Sequence, residues 1–272
     1  MVATTVFLLA VLAAQGLSGK SDTTPTKQPF DPKKWKLAWN DEFKSGRAPN
    51  PAKWGYEEGY IRNNEAQYYT KGRLENARIE HGKLVIEGRL DNWEGKKITS
   101  ASITTEGKKE FLYGRIEVRA KIPTGKGPWP AIWTLGPTIH SVGWPKCGEL
   151  DILENVGFDP SRVHANIHCD AYNHVKRTGK GNSIDAGKPW EDFHVYAIEW
   201  YRDRIEFFYD DIRYNIFRKE AEDDSKWPFD KPQFLILNLA IGGAWGGSQG
   251  IDESLFPHRF EIDYVRYYTE RK

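Results

Sequence analysis

From Trp35 onward, apolar and polar residues alternate in short runs broken by Gly, Pro, Asn and Asp, a pattern of half-buried strands rather than of helices. Residues 115–122 give the clearest case: Ile116, Val118, Ala120 and Ile122 alternate with Arg115, Glu117, Arg119 and Lys121. One face is expected to meet a core and the other water. Similar runs predict strands over 83–89, 163–169, 193–201, 204–209 and 260–268, with Arg202-Asp203 as a two-residue turn between two of them. Residues 234–241 are apolar except for Asn238, as a central strand covered on both faces would be. No segment carries a helical stripe three turns long, and there is no repeat at a fixed period. Strands joined by hairpins predict an all-β chain, two antiparallel sheets stacked as a β-sandwich or jelly roll.

The N-terminus departs from this pattern. Residues 6–14 form an apolar run, shorter than the ~20 residues that span a bilayer. Small residues follow at 12–16 and polar ones from Ser18, so 1–18 is expected to be a signal peptide and the protein secreted or periplasmic, free of the membrane after cleavage. Residues 19–34 are rich in Ser, Thr, Pro and Lys and almost devoid of apolar side chains, which predicts a flexible linker. One domain, 35–272, remains. The whole chain carries 39 basic and 38 acidic side chains, and that balance implies no nucleic-acid partner. A monomer is expected.

Candidate chemistry concentrates in Gly148-Glu149-Leu150-Asp151-Ile152-Leu153-Glu154. Alternation places Glu149 and Asp151 on one strand face. Glu154 is five positions from Glu149, an odd interval, so a regular strand would turn it to the opposite face. A β-bulge between Asp151 and Glu154 would restore it. Three like charges on one face repel unless some are protonated, which raises a carboxyl pKa toward that of a general acid. A solvated acidic strand face would have the same spacing, but Trp129-Pro130-Ala131-Ile132-Trp133 and Trp144 surround it with aromatic surface. Sugar rings stack on such surfaces, and flanking carboxyl pairs are what glycoside hydrolysis uses.

Two cysteines in an oxidising compartment invite a disulfide. However, Cys147 shares a face with Glu149, whereas Cys169 lies on the face opposite its neighbour His168. If Glu149 and His168 line one cleft, the sulfurs point apart and stay unpaired. His168, Cys169, Asp170 and His174 fit no common zinc spacing.

The segment GELDILENVG, preceded by GKGPWPAIWTLG and followed by LILNLAIGG and EIDYVRYY, resembles glycoside hydrolase family 16, in particular its laminarinase-like β-1,3-glucanases. The resemblance runs from Asn40-Asp41-Glu42-Phe43 to Tyr268. It implies a jelly roll with a concave cleft and retaining endo-hydrolysis of β-linked glucans. Glu149 falls at the family's nucleophile position, Glu154 at its acid/base position, and Asp151 between them. His168 would face the cleft near Glu154 and tune its pKa, or be an ordinary strand histidine. Asn63 and Asn64, in Asn63-Asn64-Glu65-Ala66-Gln67-Tyr68, resemble a sugar-binding loop, although such a pair also makes a plain polar turn. Trp129 and Trp133 match aromatic positions on the glycone side; Trp144 and Trp245 are further candidates for stacking, and any of the four could instead be core. The family also implies a structural calcium, away from the cleft, held by the carbonyls of Glu42 and Gly82 and the side chain of Asp263. No cofactor is expected in catalysis.

A β-1,3-glucan substrate of the laminarin type, with mixed β-1,3/1,4-glucan beside it, is the leading expectation. A galactan hydrolase acting on agar or carrageenan, a transglycosylase, and a non-catalytic glucan-binding protein are the alternatives. The presence of both glutamates weighs against the last. A sulfated substrate would call for Arg or Lys beside the cleft, where residues 129–154 contribute only Lys146.

Overall fold

In a computed structural model that describes residues 24–271, the chain is almost entirely β. The expected signal peptide and residues 19–23 of the expected linker lie outside the described residues. The first strands are β1 (Thr26–Lys27), β2 (Trp35–Asp41), β3 (Gly55–Glu57), β4 (Gln67–Tyr69), β5 (Ala77–Glu80) and β6 (Lys83–Trp93). Then come β7 (Lys96–Ser100), β8 (Ser102–Thr104), β9 (Gly114–Lys121), β10 (Pro128–Leu135), β11 (Glu149–Glu154) and β12 (Arg162–His168). The last are β13 (Asn182–Asp185), β14 (His194–Trp200), β15 (Arg204–Tyr209), β16 (Ile212–Arg218), β17 (Phe234–Ile241) and β18 (His258–Glu270).

These strands make two stacked sheets. The inner one has the order β13-β12-β11-β10-β17-β8-β3 and is antiparallel throughout. The outer one runs β1-β16-β15-β14-β9-β18-β6-β7-β4, with β2 on β18 and β5 on β6; only the β4/β7 pair is parallel. Alternation builds the core between them. Ile116, Val118 and Ala120 of β9 meet Leu150, Val163, Ala165 and Ile167 of the inner sheet, all but excluded from water. Every predicted strand is present, and Arg202-Asp203 does turn between β14 and β15, where the amide of Tyr201 donates to the carbonyl of Arg204 at 2.8 Å.

Two expectations are corrected at the outer sheet. The face of β9 carrying Arg115 and Glu117 is not wet: both are buried, 3% and 5% exposed. Arg115 donates to Glu117 (2.9 Å) and Glu199 (3.1 Å) and lies under the ring of Phe30. Phe30 belongs to the stretch expected as a free linker. Residues 24–34 instead lie on the sheet, with Thr26 opposite Arg213, Lys27 opposite Ile212, and the Gln28 amide donating to the Asp211 carbonyl. Residues 24–34 carry few apolar side chains with which to order themselves. Pairing on a sheet edge recruits backbone groups instead, and needs few of them.

Candidate active site

The far face of the inner sheet forms the floor of a cleft of about 660 Å³. A small apolar cluster underlies it, with Ala131, Trp133 and Leu135 of β10, Phe234 and Ile236 of β17, and Cys147. Cys169 packs in the main core on the other side of the sheet, so the two thiols are free, as the parity of their positions implied. Burial and the neighbouring Glu149 charge push the Cys147 thiol up to about 11, which leaves it a poor nucleophile.

Glu149, Asp151 and Glu154 all line this cleft. The odd interval is absorbed by an extra residue in β11. On β10, Trp133 lies opposite Asp151 and its neighbour Ile132 opposite Leu153, so Ile152 has no partner. On β12, Asn166 and His164 are two apart while their partners Asp151 and Glu154 are three apart. Ile152 and Leu153, adjacent in sequence, both turn into the main core, which a regular strand forbids.

Two indoles hold the outer carboxylates. Trp129 Nε1 donates to Glu154 Oε1 at 3.1 Å, and Trp144 Nε1 donates to Glu149 Oε2 at 2.9 Å. Trp245, in the glycine-rich loop after β17, packs edge-on against Trp129 (5.6 Å) and against His164 (4.9 Å). Burial raises the pKa of Glu154 first, and the Asp151 charge adds to it; His168 and the Trp129 N–H oppose. Glu149 is likewise held well above the carboxylate range by burial, then Asp151, with His168 and Trp144 acting the other way. Asp151 is raised by burial and shares a hydrogen bond with Glu149. At neutral pH this cluster therefore keeps protons that free carboxyls would have lost.

His168 is placed differently from expectation. It is the cross-strand partner of Glu149, with Nε2 3.6 Å from Glu149 Oε1 and 3.3 Å from Asp151 Oδ2, and the partner of Glu154 is His164. The pairing of β11 with β12 is regular from Glu149 to Asp151, before the bulge, and this keeps His168 with those two carboxylates. Ligand atoms of Glu149, Asp151 and His168 lie within 4.8 Å of one another, close enough to hold a cation geometrically. The same convergence is what a shared-proton network requires.

Of the remaining expected residues, Trp129, Trp133, Trp144, Trp245 and Asn63 line the cleft. Trp133 is only 8% exposed, with Nε1 on Asn238 Oδ1 (2.7 Å) and the Arg62 guanidinium over its ring at 4.8 Å. Asn64 does not line the cleft. It is exposed, and it and Asn63 both have positive φ, so the chain reverses there and Asn64 turns outward. Gln67 is buried, bonded to Glu65 and to the Ile241 amide, and fastens the loop rather than facing a ligand.

Several cleft residues were not anticipated: Glu57, Arg62, Glu65, Asn166, His174 and Asn238. Asn238 had a signal, as the lone polar residue in an apolar strand. Arg62 precedes the asparagine pair, on a loop remote in sequence from the acidic motif. It is a cation beside the cleft, but Glu57 pairs with it and Glu65 lies near. Lys146, the one cation that residues 129–154 offered, is exposed and does not line the cleft; Arg62 supplies the cation from outside that stretch, and with Glu57 beside it the local charge stays balanced.

The donors expected to bind calcium meet a lysine. Lys44 Nζ donates to the Gly82 carbonyl and to Asp263 Oδ1, both at 3.1 Å, and Arg119 takes Asp263 Oδ2 at 2.8 Å. The Glu42 side chain, as distinct from the carbonyl expected to bind, is engaged by Arg266 (2.8 and 2.9 Å). As arranged, the Gly82 carbonyl and the Asp263 carboxylate do not fit a calcium ion, whose place would fall on an ammonium and near a guanidinium.

Comparison with known proteins agrees with this geometry. The family model described as glycosyl hydrolases family 16 matches residues 62–266. A beta-glucanase of Rhodothermus marinus is 46% identical over 279 residues, covering 98% of this chain and 95% of its own. The crystal structure of the laminarinase from Rhodothermus marinus superimposes with a TM-score of 0.84 at 48% identity, over 88% of this chain and 98% of that one. A glutamate-to-serine variant of SCLam, a non-specific endo-β-1,3(4)-glucanase, superimposes with a TM-score of 0.86 at 44% identity, over 90% of this chain and 99% of that one. That structure presents a 1,3-β-D-cellobiosyl-glucose at its active site.

Proposed function

We propose that this chain, which belongs to glycoside hydrolase family 16, cleaves internal bonds of β-1,3-glucan by a retaining mechanism with Glu149 as nucleophile and Glu154 as acid/base. The observation that carries the assignment is the bulge at Ile152, which turns two glutamates five positions apart into one cleft.

The roles follow from the surroundings. Glu154 is half-buried beside a like charge and is kept protonated, ready to protonate the glycosidic oxygen as the bond breaks. Glu149 must attack the anomeric carbon as a carboxylate. The proton shared between Glu149 and Asp151 can reside on Asp151 and point at Glu149, while the Trp144 N–H and His168 support the charge. Once Glu149 is esterified by the sugar, a negative charge disappears from the cluster. The Glu154 pKa then changes with its surroundings, and as a carboxylate it takes the proton of the water that releases the product. Indole rings lining the cleft exclude water and offer faces to the sugar.

The cleft crosses most of the sheet, from Glu57 on the β3 edge past Asn238, Trp133 and the carboxylates to Asn166 and His168 on β12, one strand short of the far edge. Such a path suits a polymer bound in mid-chain. With Arg62 neutralised by Glu57, the cleft favours a neutral glucan over a sulfated galactan.

Reducing-sugar release from laminarin, lichenan, agarose and carrageenan tests the reading, with Glu149→Gln and Glu154→Gln beside the wild type. Laminarin should be cleaved fastest and both variants should be folded and nearly inactive. Hydrolysis of agarose or carrageenan in preference to laminarin, or a folded variant with wild-type activity, would overturn it.

A further inference from the structure

The cleft's β3 end continues into an aromatic surface. Ile61, Arg62 and Asn63 line the cleft, and Tyr60 precedes them on the same loop with 63% of its surface exposed; Ile61 is 42% exposed. Isolated apolar side chains at a surface need no explanation, but two adjacent ones continuous with a substrate cleft form a patch. The Tyr60 ring packs edge-on against Tyr68 at 5.4 Å and 83°, and Tyr68 against Trp93 at 6.3 Å.

This patch is buttressed. Gly59 and Tyr69 exchange two backbone hydrogen bonds of 3.0 Å, and β4, which carries Tyr68, pairs with β7. Lys96 lies over the rings of both Tyr68 and Trp93, and Arg73 over Trp93. Among the described residues no cation covers Tyr60, so its ring faces are the ones left for a ligand. Edge-on packing against Tyr68 fixes the ring while leaving a face free.

We propose that Tyr60, with Ile61, is an outer glucan-binding subsite that holds sugar residues of the same polysaccharide beyond the β3 edge of the catalytic cleft. From the carboxylates on β11 the sheet order runs through β10, β17 and β8 to β3, where Glu57 lines the cleft, and the chain continues from Glu57 into the loop whose Tyr60 packs on Tyr68 of β4. An apolar ring face without a charge above it suits the C–H face of a neutral pyranose. The subsite rests on the reading of the cleft as a β-1,3-glucan site. It acts on binding of long chains, away from the bond that breaks.

The test compares kcat/KM on polymeric laminarin with kcat/KM on laminaritriose for the wild type, Tyr60→Ala and Tyr60→Phe. In Tyr60→Ala the polymer-to-trisaccharide ratio should fall roughly five- to tenfold, the size of losing an apolar contact of a few tens of Å². The loss should lie in KM, and Tyr60→Phe should keep the wild-type ratio. An unchanged ratio in Tyr60→Ala, or an equal loss on both substrates, would overturn the subsite. Wild-type enzyme inactive on both would overturn the glucanase reading itself.

Discussion

Trp129 Nε1 donates to Glu154 Oε1 at 3.1 Å, and this one bond couples a cleft wall to the proton that the acid/base must hold. An N–H pointed at a carboxyl favours the ionised form, so it opposes the burial that raises the Glu154 pKa. Removing the donor in Trp129→Phe should therefore raise that pKa further. The basic limb of the kcat/KM profile should move to higher pH, while Trp245→Phe, with no bond to Glu154, should leave it in place.

The same burial makes stability depend on pH. The native Glu154 carboxyl has a pKa above that of the unfolded chain, about 4.3 for Glu, so the folded state binds the proton more tightly. Its contribution is fully present below the unfolded pKa and is lost as pH rises through the folded one. Glu154→Gln carries no such titration. Its melting temperature relative to wild type should rise between pH 5 and pH 9, read by calorimetry across that range; a constant difference would mean that Glu154 is not strained by burial.

Activity should divide by leaving group. Glu154→Gln is expected to lower kcat on laminarin by roughly 10²–10⁴-fold, the range of general-acid catalysis. A nitrophenyl glucoside oligomer, whose leaving group needs little protonation, should suffer far less in the first chemical step, seen as a burst of nitrophenol. Glu149→Gln should abolish both reactions alike.

Deleting Ile152 tests the parity of β11. The motif then has an even interval between its two glutamates, and a regular strand brings both to the cleft without a bulge. Loss of one fully buried side chain should cost about 2–5 kcal/mol in denaturant unfolding. The variant should still fold and keep measurable laminarin hydrolysis. Complete loss of activity in a folded deletion variant would show that the bulge sets more than the direction of Glu154.

Lys44 bears on stability elsewhere. Its ammonium meets the oxygens of Gly82 and Asp263, so neither a chelator nor added calcium should move the wild-type melting temperature. Lys44→Met frees those oxygens, and calcium should then raise its melting temperature. A calcium-dependent rise in the wild type would mean that the ion displaces Lys44.

Legibility in the sequence followed the range of the interactions. Alternation within a strand is local, so β9, β15 and β17 were readable, and an odd interval between Glu149 and Glu154 required a bulge before any coordinates. Residues whose role depends on neighbours far along the chain were not. Arg62 reaches the cleft because its loop is tied to another some 180 residues on, where the Ala244 amide donates to the Asn63 carbonyl. His168 lies on the expected face, but the register between β11 and β12, which the sequence of one strand does not carry, sets it opposite Glu149 and sets His164 opposite Glu154. The arm at 24–34 escaped for the same reason: its partner strand β16 is remote in sequence, and backbone pairing leaves little trace in composition.

The stereochemistry of the first product tests the two-glutamate assignment most directly. Retaining enzymes bring their carboxyls to ~5–5.5 Å, close enough for direct attack, whereas inverting ones leave room for a water between. Proton NMR of laminarin hydrolysis, followed from the first turnovers, distinguishes the two before mutarotation mixes the anomers. The β-anomer should appear first and the α-anomer only later, by equilibration. Initial release of the α-anomer would contradict Glu149 as nucleophile.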